Sequence, residues 1–426
     1  MKKQGCVLRY WRGLAKGLGF TFAMSFATYG WATDTTVVVA AFPALDQIVK
    51  DALPEWNKSN PDIKIKVVSR EYADHHTAMT TALAASSGLP DVMAIEYGYL
   101  GRFASSGALE DLSADPFGAS EYKDQFVPFA WNQGFLNGVG QVAIPSDIGP
   151  GALFFRKDIF DKAGVDINKA TASWDGFIAA GEAVKSATGG FMVAHARDVK
   201  DVIIRSDIPE GEGIYFDSDG KPVINRSPRF LKAFSVAKEI RDRGLDAKIG
   251  AWSNEWSEGL RRGNLATQMM GAWLGGHLKN WLAPDTAGKW RSHNLPENVM
   301  MSWGGSFFSI PKKAEHKDAA WRFIEFLTTS KAMQSRAFAK HDAFPSLLEA
   351  QRGDFFEQPI EFLGGQVARV SWAQTAQAIK ATKVFKHDAV AEEIVNSELD
   401  LVLVRGKDIQ SAINDAHRAI ARRARR

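Results

Sequence analysis

Cysteine is nearly absent. The 426 residues contain one, Cys6, and it lies ahead of a short apolar run near the N-terminus. If that segment is an export signal, the processed chain has no thiol. Disulfides, cysteine metal ligands and a cysteine nucleophile are then excluded together, as is a lipid-bearing cysteine, which would follow the apolar run. Long apolar stretches are also lacking. Leu18 to Phe26 is well short of the roughly 20 residues a bilayer-spanning helix requires, and no later segment is longer and as apolar. No low-complexity linker or repeat of ~20–50 residues is visible, which argues against solenoids and arrays. The sequence has no Gly-x-Ser-x-Gly elbow, no phosphate-binding glycine-rich loop and no His-x-x-x-His pair.

An excess of charge of one sign is missing as well. Lys2, Lys3, Arg9, Arg12 and Lys16 precede Leu18 with no acidic residue among them, and Gly30-Trp31-Ala32 supplies small residues at the −3 and −1 positions of a cleavage site. Residues 1–32 are expected to be a signal peptide. Its removal takes five of the 52 basic residues and leaves 47 against 49 acidic ones, a net charge of −2. No basic stripe remains for nucleic acid. About 394 residues then remain, more than the ~250–300 a single core accommodates, so two domains are expected.

What the chain does have is tryptophan. Six of its 13 lie between Trp252 and Trp303. A tryptophan in a soluble chain sits in the core or at a binding surface, where the ring's burial outweighs its desolvation. Sugars suit such rings, having an apolar C–H face and a hydroxyl-rich edge.

Strand and helix patterns alternate. Val37-Val38-Val39 reads as a strand. Leu45, Ile48, Val49, Ala52, Leu53 and Trp56 fall on one helix face. Ile63, Ile65 and Val67 alternate with charged residues as in a half-buried strand, and Val92 to Ile95 reads as a buried one. Asp147 to Gly151 is expected to turn and Ala152 to Phe155 to begin a new strand. Ser173 has the place of an N-cap, and Lys317 to Leu327 and Ile409 to Ile420 have helical spacing. The alternation predicts an α/β fold with a largely parallel sheet. Glu71, Asp74, His75 and His76 invite a metal reading, but a solvated loop or helix start is the expected one.

The order of six segments resembles the family 1 extracellular solute-binding proteins of ABC importers, in their carbohydrate branch. These are Asn60-Pro61-Asp62-Ile63-Lys64-Ile65; Ser87-Gly88-Leu89-Pro90-Asp91-Val92; Gly107 to Leu112; Ile144-Pro145-Ser146-Asp147 through Phe155-Arg156-Lys157-Asp158; Gly263 to Met269 with Gly271-Ala272-Trp273; and Gly304-Gly305-Ser306 through Ala319-Ala320-Trp321-Arg322-Phe323. Two positions depart from the family pattern: Phe155 stands where tyrosine is usual, and Gly176 where a capping glutamate is common.

The resemblance implies a two-lobed, type II-like periplasmic binding protein with discontinuous lobes and a ligand cleft at the hinge. Lobe one would comprise residues 33–143 plus 305–355, and lobe two 144–304 plus 356–426. It also implies a monomer in the periplasm that holds a small carbohydrate without cofactor or metal. It would deliver this to permease subunits driven by a cytoplasmic ATPase. Candidate ligand residues are Phe42, Glu96 and Tyr97 at strand ends, where α/β sheets gather ligands, and Asp147 just past the first crossing. Trp252, Trp273, Trp303 and Trp372 are the aromatic candidates, with Gly304 and Gly305 at the second crossing. Trp56, Trp174 and Trp321 belong to regular helix faces and are expected in the core; Asp91 is expected to be structural. A non-sugar solute (a polyamine, polyol or glycerophosphodiester) and a secreted glycan-cleaving enzyme are the alternatives.

Overall fold

The computed structural model describes residues 35–136 and 138–425; the expected signal peptide lies outside them. Among the described residues no helix is long and apolar enough to cross a membrane.

The chain begins as alternating strands and helices: β1 (Thr35–Ala41), α1 (Leu45–Ser59), β2 (Ile63–Ser69), α2 (Tyr72–Ala85), β3 (Val92–Glu96) and α3 (Tyr97–Ala104). β1 pairs in parallel with β2 and with β3. Val92 to Ile95 are fully buried, the sign of a central strand covered on both faces. Trp56 is 1% exposed and its indole N–H donates to the Ile63 carbonyl at 3.0 Å, which locks α1 onto the start of β2.

The next strand departs from the expected turn at Asp147 to Gly151. β4 (Ile144–Arg156) runs unbroken for 13 residues. Turn-forming residues stay extended here because partners from far along the chain hold them. β5 (Thr267–Gly271) and β6 (Trp290–His293) pair antiparallel with its far half. β7 (Ser302–Ser309) and β8 (Phe344–Pro345) pair antiparallel with its near half. β7 also pairs antiparallel with β3, giving the order β8–β4–β7–β3–β1–β2. The sheet is thus parallel only over β1, β2 and β3; its centre is antiparallel.

Two structural regions flank these shared strands. One core gathers β1, α1 and helix α4 (Lys317–Thr328) around Trp56, Trp321 and Phe323. Another gathers Phe155, Trp174, Phe177 and Phe234 with the C-terminal helices α5 (Asp388–Arg405) and α6 (Ile409–Ala424). A third cluster between them holds Phe154, Trp256, Trp290, Phe338 and Trp372. Trp56, Trp174 and Trp321 are buried, as their helix faces predict. So is Asp91, whose carboxylate accepts from the backbone N–H groups of Val38 at 2.8 Å and His316 at 2.9 Å.

Candidate ligand-binding site

Three adjacent strands bring two carboxyl groups into one row. Ser306 on β7 pairs with Glu96 on β3 and with Asp147 on β4. Directly paired residues project to the same sheet face. With strands about 4.8 Å apart, Glu96 and Asp147 are separated by the width of one strand. Register shifts between Pro145 and Asp147 and between Ile148 and Pro150 are irregularities of the kind that re-aim side chains next to binding sites.

Burial raises both carboxyl groups. Glu96 is pushed up to about 7 by desolvation, although the Gly98 N–H and the Tyr72 hydroxyl donate to it at 2.8 and 2.9 Å. Asp147 is pushed up to about 6 by desolvation, against hydrogen bonds from Ser306. Its Oδ1 is buried without a protein partner among the described residues. Near neutral pH the two groups are poised between accepting and donating, which suits hydroxyl ligands.

The histidines do lie at a helix start, in the first turns of α2, but they are buried rather than solvated, because both rings pack on Phe42 and His75 Nε2 bonds the Ala94 carbonyl at 2.8 Å. His75 and His76 are 0% and 1% exposed. The Glu96 N–H donates to His76 Nε2 at 3.1 Å, which leaves Nδ1 to donate to the Tyr72 carbonyl at 2.8 Å. Burial lowers His76 to about 4, so the ring is neutral in this arrangement. Among the described residues no group of three or more His, Cys, Asp or Glu side chains could hold a metal ion.

Next to the row, β7 supplies Trp303, Gly304 and Gly305. Gly304 and Gly305 have φ of 84° and 127°, which only glycine adopts readily. A Cβ on Gly305 would come within 3.1 Å of the Asp147 carbonyl oxygen, and one on Gly149 would collide with the Trp303 carbonyl. Bare backbone at these points lets β4 and β7 close up under Trp273, whose indole N–H donates to the Trp303 carbonyl at 2.8 Å.

Trp273 is the inner ring of a stack. Trp252 lies 5.8 Å from it at 21°, and Trp281 lies 6.4 Å from Trp252 at 22°. His277 stands edge-on to all three and accepts from the Trp281 indole at 2.9 Å. Burial holds His277 down at about 4, so it is neutral too. Trp252 has φ 71°, a conformation costing a bulky residue about 1–3 kcal/mol, yet it is 53% exposed. The strain presents a ring to solvent instead of filling the core.

Tyr97 faces the opposite region. Its hydroxyl accepts from Arg205 Nη2 at 3.0 Å, and the same guanidinium lies 5.7 Å over the Trp303 ring, a cation–π distance. Burial pushes Tyr97 up to about 12.

Glu96, Tyr97, Asp147, Trp252, Trp273, Trp303, Gly304 and Gly305 therefore converge on the crossing strands. Two candidates do not. Phe42 is 8% exposed and packed against Tyr72, His75 and His76; it directly follows β1, in the packing between that strand and α2. Trp372 is 5% exposed, donates to Ser292 Oγ at 2.9 Å and packs on Phe154; its helix face turns it into the core. Sequence reading also passed over His277 and Arg205, and gave Trp281 and His76 no place at the site. Only Arg205 carried a local signal, the i,i+4 spacing from Asp201 that forms an ion pair at 3.0 Å.

An α/β chain with two regions flanking shared strands, and with aromatic and carboxyl side chains gathered where those strands cross, has the architecture of a bilobed binding protein. The pattern of the bacterial extracellular solute-binding protein family matches residues 38–334, and the chain belongs to that family. It is similar to a lactose-binding protein of Rhizobium radiobacter, 29% identical over 344 residues that cover 76% of this chain and 78% of the relative. A solved family 1 extracellular solute-binding protein superposes with a TM-score of 0.81 at 21% identity, covering 92% of this chain and all of the other. An ABC-transporter-associated binding protein of B. animalis subsp. lactis, in complex with beta-1,6-galactobiose, superposes with a TM-score of 0.75 at 25% identity, covering 92% and 98%. The family is one of binding proteins, not enzymes.

Proposed function

We propose that this protein captures a mono- or small oligosaccharide, a disaccharide such as lactose among them, and delivers it to the permease of an ABC importer. The observation that carries this reading is the junction of Trp273, bonded to the Trp303 carbonyl, with the Glu96–Ser306–Asp147 row. A sugar ring laid on an indole buries its C–H face, and its edge hydroxyls meet carboxyl groups able to accept or donate. A lactose-binding relative and a galactobiose-bound one support the ligand class.

Residues 33–143 plus 305–355 form one lobe in this reading, and 144–304 plus 356–426 the other, with hinges near Ile144 and Gly304. Ligand touching both lobes stabilises the closed state, and that state is the one productive at the permease. Residues 1–32 act as a cleaved signal, so the protein works in the periplasm as a monomer.

Isothermal titration calorimetry with a sugar panel tests the reading. At least one mono- or disaccharide binds the wild type with one-to-one stoichiometry, and Trp273→Ala abolishes that binding while the fold persists. Unchanged affinity in a folded Trp273→Ala protein would remove Trp273 from the site.

A further inference from the structure

Beside the carboxyl row lies a cavity of about 290 Å³, walled by Tyr97 and Gly98, by Arg205 and Tyr215, and by Asp388 and Glu392. It adjoins the candidate site at two points: Tyr97 directly follows Glu96 of the row, and Ser302, also in the wall, directly precedes Trp303.

Three polar atoms of this wall are buried and have no hydrogen-bond partner among the described residues: Arg205 Nε, Tyr215 Oη and Asp388 Oδ1. Arg205 and Tyr215 are 9% and 1% exposed. Protein interiors pair the great majority of such atoms, so three around one cavity call for a ligand that pairs them. Together they present an N–H donor, a hydroxyl that donates and accepts, and a carboxyl acceptor. Three basic and four acidic side chains line the cavity, so the two signs nearly balance and neither dominates the choice of ligand. Val299, Met301 and Ile214 add apolar wall. A neutral ring with adjacent hydroxyls and a C–H face matches all of these features.

We infer that this compartment takes the second sugar ring of a neutral oligosaccharide whose first ring lies against Trp273 and the carboxyl row. The inference rests on the carbohydrate reading above and adds a minimum ligand length and the residues that read it.

Calorimetry on the processed chain with galactose, lactose and β-1,6-galactobiose, for the wild type and Tyr215→Phe, decides it. The tyrosine hydroxyl bonds nothing in the described protein, so its removal spares the fold. The wild type binds at least one disaccharide more tightly than galactose; Tyr215→Phe weakens that disaccharide about tenfold, the value of one buried hydrogen bond, and leaves galactose unchanged. Ala389→Leu, which narrows the same cavity, gives the same selective loss if Tyr215→Phe proves unstable. Unchanged disaccharide affinity in both variants, equal loss for both ligand sizes, or a wild-type preference for galactose overturns the inference alone. A wild type that binds none of these three sugars overturns this inference, and one that also binds no sugar of the wider panel overturns the carbohydrate reading with it.

Discussion

His76 accepts the backbone N–H of Glu96 at 3.1 Å, so a residue buried in one helix fixes the last position of the neighbouring strand. The bond requires the neutral ring. Burial holds His76 at about 4, below the ~6.5 of a free histidine. The unfolded chain therefore binds the extra proton first, and this group makes stability fall as pH drops from about 6.5 towards 4. His76→Phe keeps much of the stacking on Tyr99, whose ring lies 4.0 Å away, but removes the acceptor. Sugar affinity should fall about threefold to tenfold, and the acid limb of a pH–melting curve between pH 4 and 6.5 should flatten.

Glu96 has the opposite sign. Its folded value of about 7 lies above the ~4.3 of a free glutamate, so the folded state holds the proton more tightly. The wild type should lose stability relative to Glu96→Gln as pH rises from about 4.5 to 7, by an amount on the order of 1–3 kcal/mol. Urea denaturation of the two proteins at pH 5 and pH 8 measures the divergence; parallel curves would contradict the burial of this carboxyl.

Trp273→Phe separates stacking from the hinge bond. The phenyl ring keeps an aromatic face, while the 2.8 Å bond to the Trp303 carbonyl is lost. Affinity should drop by roughly fivefold to tenfold, about 1 kcal/mol, against complete loss in Trp273→Ala.

Gly305→Ala tests the backbone rather than a side chain. A φ of 127° is closed to alanine, and the added methyl meets the Asp147 carbonyl at 3.1 Å. A loss of about 1–3 kcal/mol is expected by chemical denaturation, together with weaker sugar binding, because the shift moves Asp147.

Trp372→Phe is the control for the core assignment. The variant loses the bond to Ser292 Oγ and should destabilise the protein by about 1–2 kcal/mol with sugar affinity unchanged. Reduced affinity at full stability would return Trp372 to the site.

Local chemistry made much of this architecture readable. The face from Leu45 to Trp56 is α1, the apolar run from Val92 is β3, and Ser173 caps its helix by accepting from the Gly176 N–H at 3.0 Å. The hinge candidates Asp147, Trp273, Trp303, Gly304 and Gly305 were visible through segment order. What escaped depends on distant pairing. Asp147 to Gly151 has turn residues, and only strands from more than 100 positions away, β5, β7 and β8, hold them straight. His75 and His76 read as solvated because their neighbours are polar; their burial comes from Phe42, Tyr99 and Phe103. Phe42 and Trp372 lie near the right strands but point inward, and side-chain direction is set by packing rather than by position in the chain.

The 13 residues of β4 also bear on how the molecule comes apart. The near half of the strand completes one region's sheet and the far half the other's, with no break between them. Melting either region would strip that strand of its partners and fray the sheet of its neighbour. The two regions should therefore unfold in one calorimetric transition, and a scan should show a single peak.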